Sequence, residues 1–158
     1  MTFSASGTIT GTNTIDNISA SSSTASGDTI KFEFNMGEDS SDDVLQYAKG
    51  GGKELVKILQ FDTTSDSVSA NVAVGAAATA IGAATAASMI GGALGASIST
   101  SDVATAGGSI TAMFTYNGDT FYLSQADGNA LDGTFDNGEV IFQFVGVTNV
   151  VAADIGSL

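Results

Sequence analysis

Between Asp127 and Glu139 the chain sets Asp127, Asn129, Asp132, Asp136, Asn137 and Glu139 among glycines. All of these side chains carry hard oxygen donors, the ligand type that a calcium ion gathers several at a time. The loop is therefore a candidate calcium site, with Asp127, Asn129, Asp132, Asp136 and Glu139 as its ligands. The spacing is not that of an EF-hand. Counted from Asp127, Leu131 falls where an oxygen ligand is needed, and Asp132 stands where that loop requires glycine. The competing reading is a solvated turn whose Asp, Asn and Gly serve backbone geometry.

Other chemistry is narrowly bounded. The chain has no His, Cys, Trp, Pro or Arg. This removes Ser–His–Asp and Cys–His arrangements, imidazole or thiolate metal sites, and disulfides. The carboxylate pairs Asp42-Asp43 and Asp132/Asp136 could formally act as acid and base on a glycoside. Such sites also need aromatic platforms for the sugar, and tryptophan is missing. Gly50-Gly51-Gly52-Lys53 does not match a phosphate loop, since Glu54 stands where Ser or Thr belongs. The expectation is a protein that is not an enzyme.

A second candidate is a surface for packing. From Ser67 to Ser101 no residue is charged, and Val72–Ile98 is mostly Ala and Gly. Gly75, Thr79, Ala83, Ala87, Gly91 and Gly95 recur at intervals of four. On a helix that spacing makes one drifting ridge of small side chains, which lets another backbone come close. The ridge could pack within its own domain or against another copy. Read as an assembly interface, it predicts a long Ala/Gly helix over 67–101. The uncharged length would also suffice for a membrane span, but Ala, Gly and Ser contribute little transfer energy and no basic or aromatic flanks mark an interface.

These segments sit in a chain of 158 residues, with 17 acidic side chains against 4 lysines and a net charge of −13. No positive side chain follows Lys57. That imbalance repels nucleic acid and anionic lipid. A hydrophobic content of 43% is high enough to argue against disorder. The start of the chain, Met1 to Thr10, carries neither a basic cluster nor an apolar run, so no cleavable secretory signal is expected there.

The positioning elements follow from periodicity. Residues 1–27 read as a Ser/Thr-rich arm, flexible or exchanged as a strand between copies. In 28–66, Thr29–Asn35 alternates strictly, with Ile30, Phe32 and Phe34 on one face and Lys31 and Glu33 on the other, which predicts a half-buried strand. The acids before Val44 predict a short helix ended by Gly50-Gly51-Gly52, and Glu54–Phe61 leans towards strand. In 102–158, Asn117-Gly118 between two β-prone runs predicts a hairpin with a type I′ turn. Glu139–Val147, apolar on both faces, predicts a central strand.

The run Ala112–Leu123 with its Gly-Asp-Thr turn, the Asp/Gly loop, and the run from Glu139 to Asn149 with its Val-Gly-Val step together resemble a known pattern. They are similar to the C-terminal region of RTX-related, bluetail-type bacterial surface proteins secreted by the type I route. The resemblance implies export through a type I secretion channel that reads an uncleaved C-terminal signal, and calcium-dependent folding outside the cell. The family's Gly-Gly-x-Gly-x-Asp repeats are missing, so its calcium-bound roll is not implied.

Together these readings predict an α+β, mainly β fold: antiparallel, sandwich-like sheets with one long Ala/Gly-rich helix and one short helix. They predict a secreted or cell-surface structural protein that forms a homo-oligomer or polymer, such as a filament, surface layer or biofilm matrix. A membrane-inserting toxin built on the Gly/Ala helix and a calcium-binding adhesin module are the alternatives.

Overall fold

The computed structural model describes residues 12–15, 29–37, 42–47, 52–70, 81–106, 113–124 and 131–157. Strand β2 (Thr29–Asn35) forms where the alternation predicts it, with Ile30, Phe32 and Phe34 buried and Lys31 and Glu33 half-buried. The chain then moves to β3 (Val44–Tyr47), returns to β4 (Lys53–Leu59) and moves again to β5 (Ser67–Ala70). Strand β2 pairs in parallel with β4, and β3 in parallel with β5. An earlier strand, β1 (Thr12–Ile15), lies parallel to β3 on its other side. The chain thus winds between two sheets as a flattened parallel coil. Thr29 lies opposite Lys53 and Val44 opposite Ser67, one coil later in each case.

The third coil is interrupted by a long excursion. After β5 come the helix α1 (Ala83–Leu94), a single 3-10 turn at Thr100–Asp102, the two-residue strand β6 (Ala104–Thr105), and the hairpin of β7 (Met113–Tyr116) and β8 (Asp119–Ser124). Only then do β9 (Val140–Phe144) and β10 (Ile155–Ser157) complete the coil, β9 parallel to β4 and β10 parallel to β5. The larger sheet runs β2-β4-β9-β8-β7-β6 and the smaller β1-β3-β5-β10.

Three layers result. Between the sheets lies a core of Phe32, Phe34, Leu45, Tyr47, Val56, Ile58, Val68, Tyr122, Phe142 and Phe144. On the outer face of the larger sheet, Ala86, Met89, Ile90 and Ala93 of α1 cover Leu55, Phe121, Leu123 and Ile141. The larger sheet is therefore buried on both faces where β9 runs, and all five β9 residues are buried. This agrees with the central strand expected from its continuous apolar run. The hairpin turn has positive φ at both Asn117 (52°) and Gly118 (85°), the conformation the Asn-Gly pair predicts.

Three expectations are corrected. The first is the long Ala/Gly helix over 67–101. The segment opens as strand β5, with Val68 and Ala70 in the core, and among the described residues the only α-helix is α1, with 12 residues. Glycine sets its end: Gly95 adopts a left-handed φ of 71° and its N–H returns to the Gly91 carbonyl. The second is the short helix after Asp43, which is the strand β3. Leu45 and Tyr47 point into the core and Val44 and Gln46 outward, and so short a helix would be marginal without packing of its own. The third is antiparallel sheets. The smaller sheet is wholly parallel, and the larger is antiparallel only from β9 through β8 and β7 to β6. From β2 to β5 each connection crosses to the other sheet, which lets strands of one sheet run parallel.

Candidate functional site: strand edges and buried acids

The candidate calcium ligands are not gathered into a centre. Asp127 and Asn129 lie outside the described residues. Asp132 is exposed, and its Oδ1 accepts the backbone N–H of Thr134 at 2.8 Å, the geometry of an Asx turn. Asp136 is exposed, whereas Glu139 is buried and its Oε2 accepts the Asp136 N–H at 2.7 Å. Among the described residues no three acidic side chains are grouped to hold a metal. The visible part of the loop uses its acids to close turns, leading the chain into β9.

The small-residue stripe is split by the fold. Gly75 and Thr79 lie outside the described residues. Ala83 opens α1, Ala87 is buried among the residues under the helix, and Gly95 is exposed at its C-terminus. Gly91 is tight for a local reason. The chain folds back at Gly95, so that the Ala96 N–H donates to the Gly91 carbonyl at 2.9 Å, and a Cβ on Gly91 would lie 2.6 Å from the Ala96 oxygen. The backbone that comes close here is the chain's own. Ala87, Ser88, Gly91, Gly92, Gly95 and Ala96 line an open groove of about 530 Å³. At 12 residues α1 is about 18 Å long, short of the roughly 30 Å of a bilayer's hydrocarbon core. Among the described residues no helix is long and apolar enough to cross a membrane.

Gly91→Ala should lower stability by about 1–3 kcal/mol in urea unfolding, because the clash is with backbone that cannot step aside without opening the helix end. Gly92→Ala should cost much less. Its Cβ would meet the Phe135 Cβ at 3.2 Å, a contact a small shift relieves, and alanine is the better helix former. Equal effects at the two sites would contradict this reading of the helix end.

The sequence reading missed the buried carboxylates of the coil. Asp43 stands just before β3, Asp66 just before β5 and Asp154 just before β10, and all three are buried. Because Val44 lies opposite Ser67, Asp43 and Asp66 occupy the same corner of successive coils. The Asp66 carboxylate accepts the N–H of Asp43 at 3.3 Å and that of Asp62 at 2.8 Å, tying one coil to the next. Asp154 accepts the Val151 N–H at 2.8 Å. The legible signal was an aspartate directly before a β-prone run, recurring between Asp43 and Asp66 at the coil spacing. Asp62 is exposed, and its carboxyl is held below the usual range by the Thr64 N–H and then by the Thr64 hydroxyl.

Deeper in, the Tyr47 hydroxyl of β3 donates to Glu54 Oε2 of β4 at 2.6 Å, across the space between the sheets. Burial first, then the Glu54 charge and hydrogen bond, push the Tyr47 phenol far above its ordinary pKa. In the hairpin, Asp119 accepts Gln143 Nε2 at 2.6 Å and the Gly146 N–H at 2.8 Å, while the Thr120 hydroxyl donates to the Val147 carbonyl at 2.7 Å. The Gly-Asp-Thr turn thereby fastens β8 to the chain leaving β9.

β1 and β10 are the outer strands of the smaller sheet, β2 and β6 of the larger, and no described residue pairs with their outer edges. The chain matches no protein-family model, no curated protein and no solved structure.

Proposed function

We propose that this chain is a structural protein that associates with copies of itself, as a subunit of an extracellular filament, surface layer or matrix. The observation that carries the reading is the open coil: both sheets end in strands whose outer N–H and C=O groups have no partner among the described residues. Such edges template pairing with another chain. A copy of the same chain offers matching strand spacing, and closed or open symmetric assembly follows from repeating one contact. The placement outside the cell rests on the resemblance of the Ala112–Asn149 region to type I-secreted surface proteins, and the −13 charge suits solubility there.

Sedimentation velocity and electron microscopy of the purified chain test this. Species larger than the monomer should grow with protein concentration and appear as ordered particles or fibres. A chain that stays monomeric at every concentration contradicts the reading.

A further inference from the structure

We propose that β2 is the strand through which two copies join, antiparallel and about a two-fold axis at Phe32, so that Lys31 of each lies opposite Glu33 of the other. The inference rests on the self-association reading and names its contact.

Among the outer strands β2 is the best suited. It has seven residues, whereas β1 has four, β6 two and β10 three. Its register with β4 is unbroken from Thr29↔Lys53 to Asn35↔Leu59, so no bulge twists its edge away. The whole chain contains no proline. Bulges and prolines are common devices by which natural sheets protect an edge. Ile30, Phe32 and Phe34 are already buried by the chain's own core, so an added strand needs only the outward backbone groups and the neighbouring side chains.

The sequence Thr-Ile-Lys-Phe-Glu-Phe-Asn selects the partner and its direction. Antiparallel pairing about Phe32 sets Thr29 against Asn35, Ile30 against Phe34 and Lys31 against Glu33, with apolar side chains together on one face and opposite charges together on the other. Parallel pairing in the same register would oppose Lys31 to Lys31 and Glu33 to Glu33. A slip of one residue would carry the apolar side chains to the charged face. In a chain with so few lysines most surfaces would bring acid to acid. β2 instead is its own electrostatic complement. Within one chain Glu33 already receives Lys57 Nζ at 2.9 Å, and Lys31 of the second copy would approach the same carboxylate from the open side.

The test uses the full-length chain and charge reversal. Lys31→Glu alone opposes acid to acid at both symmetric positions, and Glu33→Lys alone opposes lysine to lysine. Each should weaken association about tenfold or more. Mixed in equal amounts, the two variants regain opposite charges at both positions and should form a heterodimer with wild-type affinity, read by energy transfer between differently labelled chains. Thermal melts confirm that each variant folds, a check Glu33→Lys needs because it also breaks the contact with Lys57. If Lys31→Glu associates as tightly as wild type, or the mixture binds no better than either variant alone, β2 is not the contact, even though a wild type that assembles keeps the broader reading. A wild type that remains monomeric overturns both.

Discussion

Tyr47→Phe should destabilise the protein by about 1.5–3 kcal/mol at neutral pH, the range for a hydrogen bond to a charged group. The substitution isolates that bond. Tyr47 packs edge-on against Phe142 at 5.6 Å and Phe32 at 5.8 Å between ring centres, and phenylalanine keeps both contacts. What is lost is the hydroxyl donated to Glu54, a carboxyl that is 1% exposed. The same pair predicts a pH signature. The folded Tyr47 holds its proton far above the ordinary value, whereas in the unfolded chain it ionises near pH 10. Above about pH 10 the unfolded state therefore binds fewer protons than the folded one, and stability falls as pH rises, by about 1.4 kcal/mol per unit for this group. The contribution is complete below the unfolded pKa and is lost as pH climbs towards the folded one. The gap between wild type and Tyr47→Phe should thus be constant from neutral pH to about pH 9 and shrink above about pH 10. Urea unfolding at a series of pH values measures it, and a gap that stays level through about pH 11 contradicts the assignment.

Asp66→Ala should cost about 3 kcal/mol, because it removes the acceptor shared by two backbone N–H groups at one corner of the coil. Those of Asp43 and Asp62 both end on this carboxylate, which is 6% exposed. Hydrogen bonds to a charged acceptor contribute about 1.5–3 kcal/mol each and do not add fully when they share one group. Asp66→Asn keeps one carbonyl acceptor but turns an amide donor towards the second N–H, so it should recover only part of the loss. The loss should also be local in origin. Amide exchange at Asp43 and in the neighbouring strand β3 should rise before the rest of the molecule opens. Wild-type stability in Asp66→Ala would mean that water replaces the carboxylate without cost, and the corner would then not be part of the frame.

The parts of the fold legible in the sequence were those where a local pattern and the packing agree. Thr29–Asn35 alternates over seven residues, and burial follows it position by position. Asn117-Gly118 needs two positive φ angles, and few residue pairs supply them. Val44–Tyr47 was not legible, because four residues hold too little of either period and the acids before them suggested a helix start. Of these acids Asp43 is buried at the coil corner instead. Within the Ala/Gly segment alanine favours helix and glycine its end, and the stopping point was set by the fold-back at Gly91 and Ala96, a tertiary detail that spacing does not encode. The parallel winding was hidden for another reason. It is a property of which strands meet across coils, and the excursion of α1 and β6–β8 separates β4 from its partner β9 in the chain.

The candidate sites divide in the same way. The acids between Asp132 and Glu139 stood out by composition, yet their described members close turns. Asp43 and Asp66 lie 23 residues apart in the chain and are brought to one corner by the pairing of β3 with β5. Lys31 and Glu33 were visible as the outer face of a strand. Their complementarity matters because that strand lies at the margin of its sheet, which no single-strand pattern reveals.

Amide hydrogen exchange across Thr29–Asn35, followed against protein concentration, tests most directly whether a second copy completes the sheet. The account predicts that the outward-facing amides of β2, alternate residues only, are poorly protected in dilute protein and gain protection as concentration rises. Protection that is the same at every concentration would place the covering strand within one chain, and amides that stay unprotected throughout would leave the edge with no partner; either result contradicts the account.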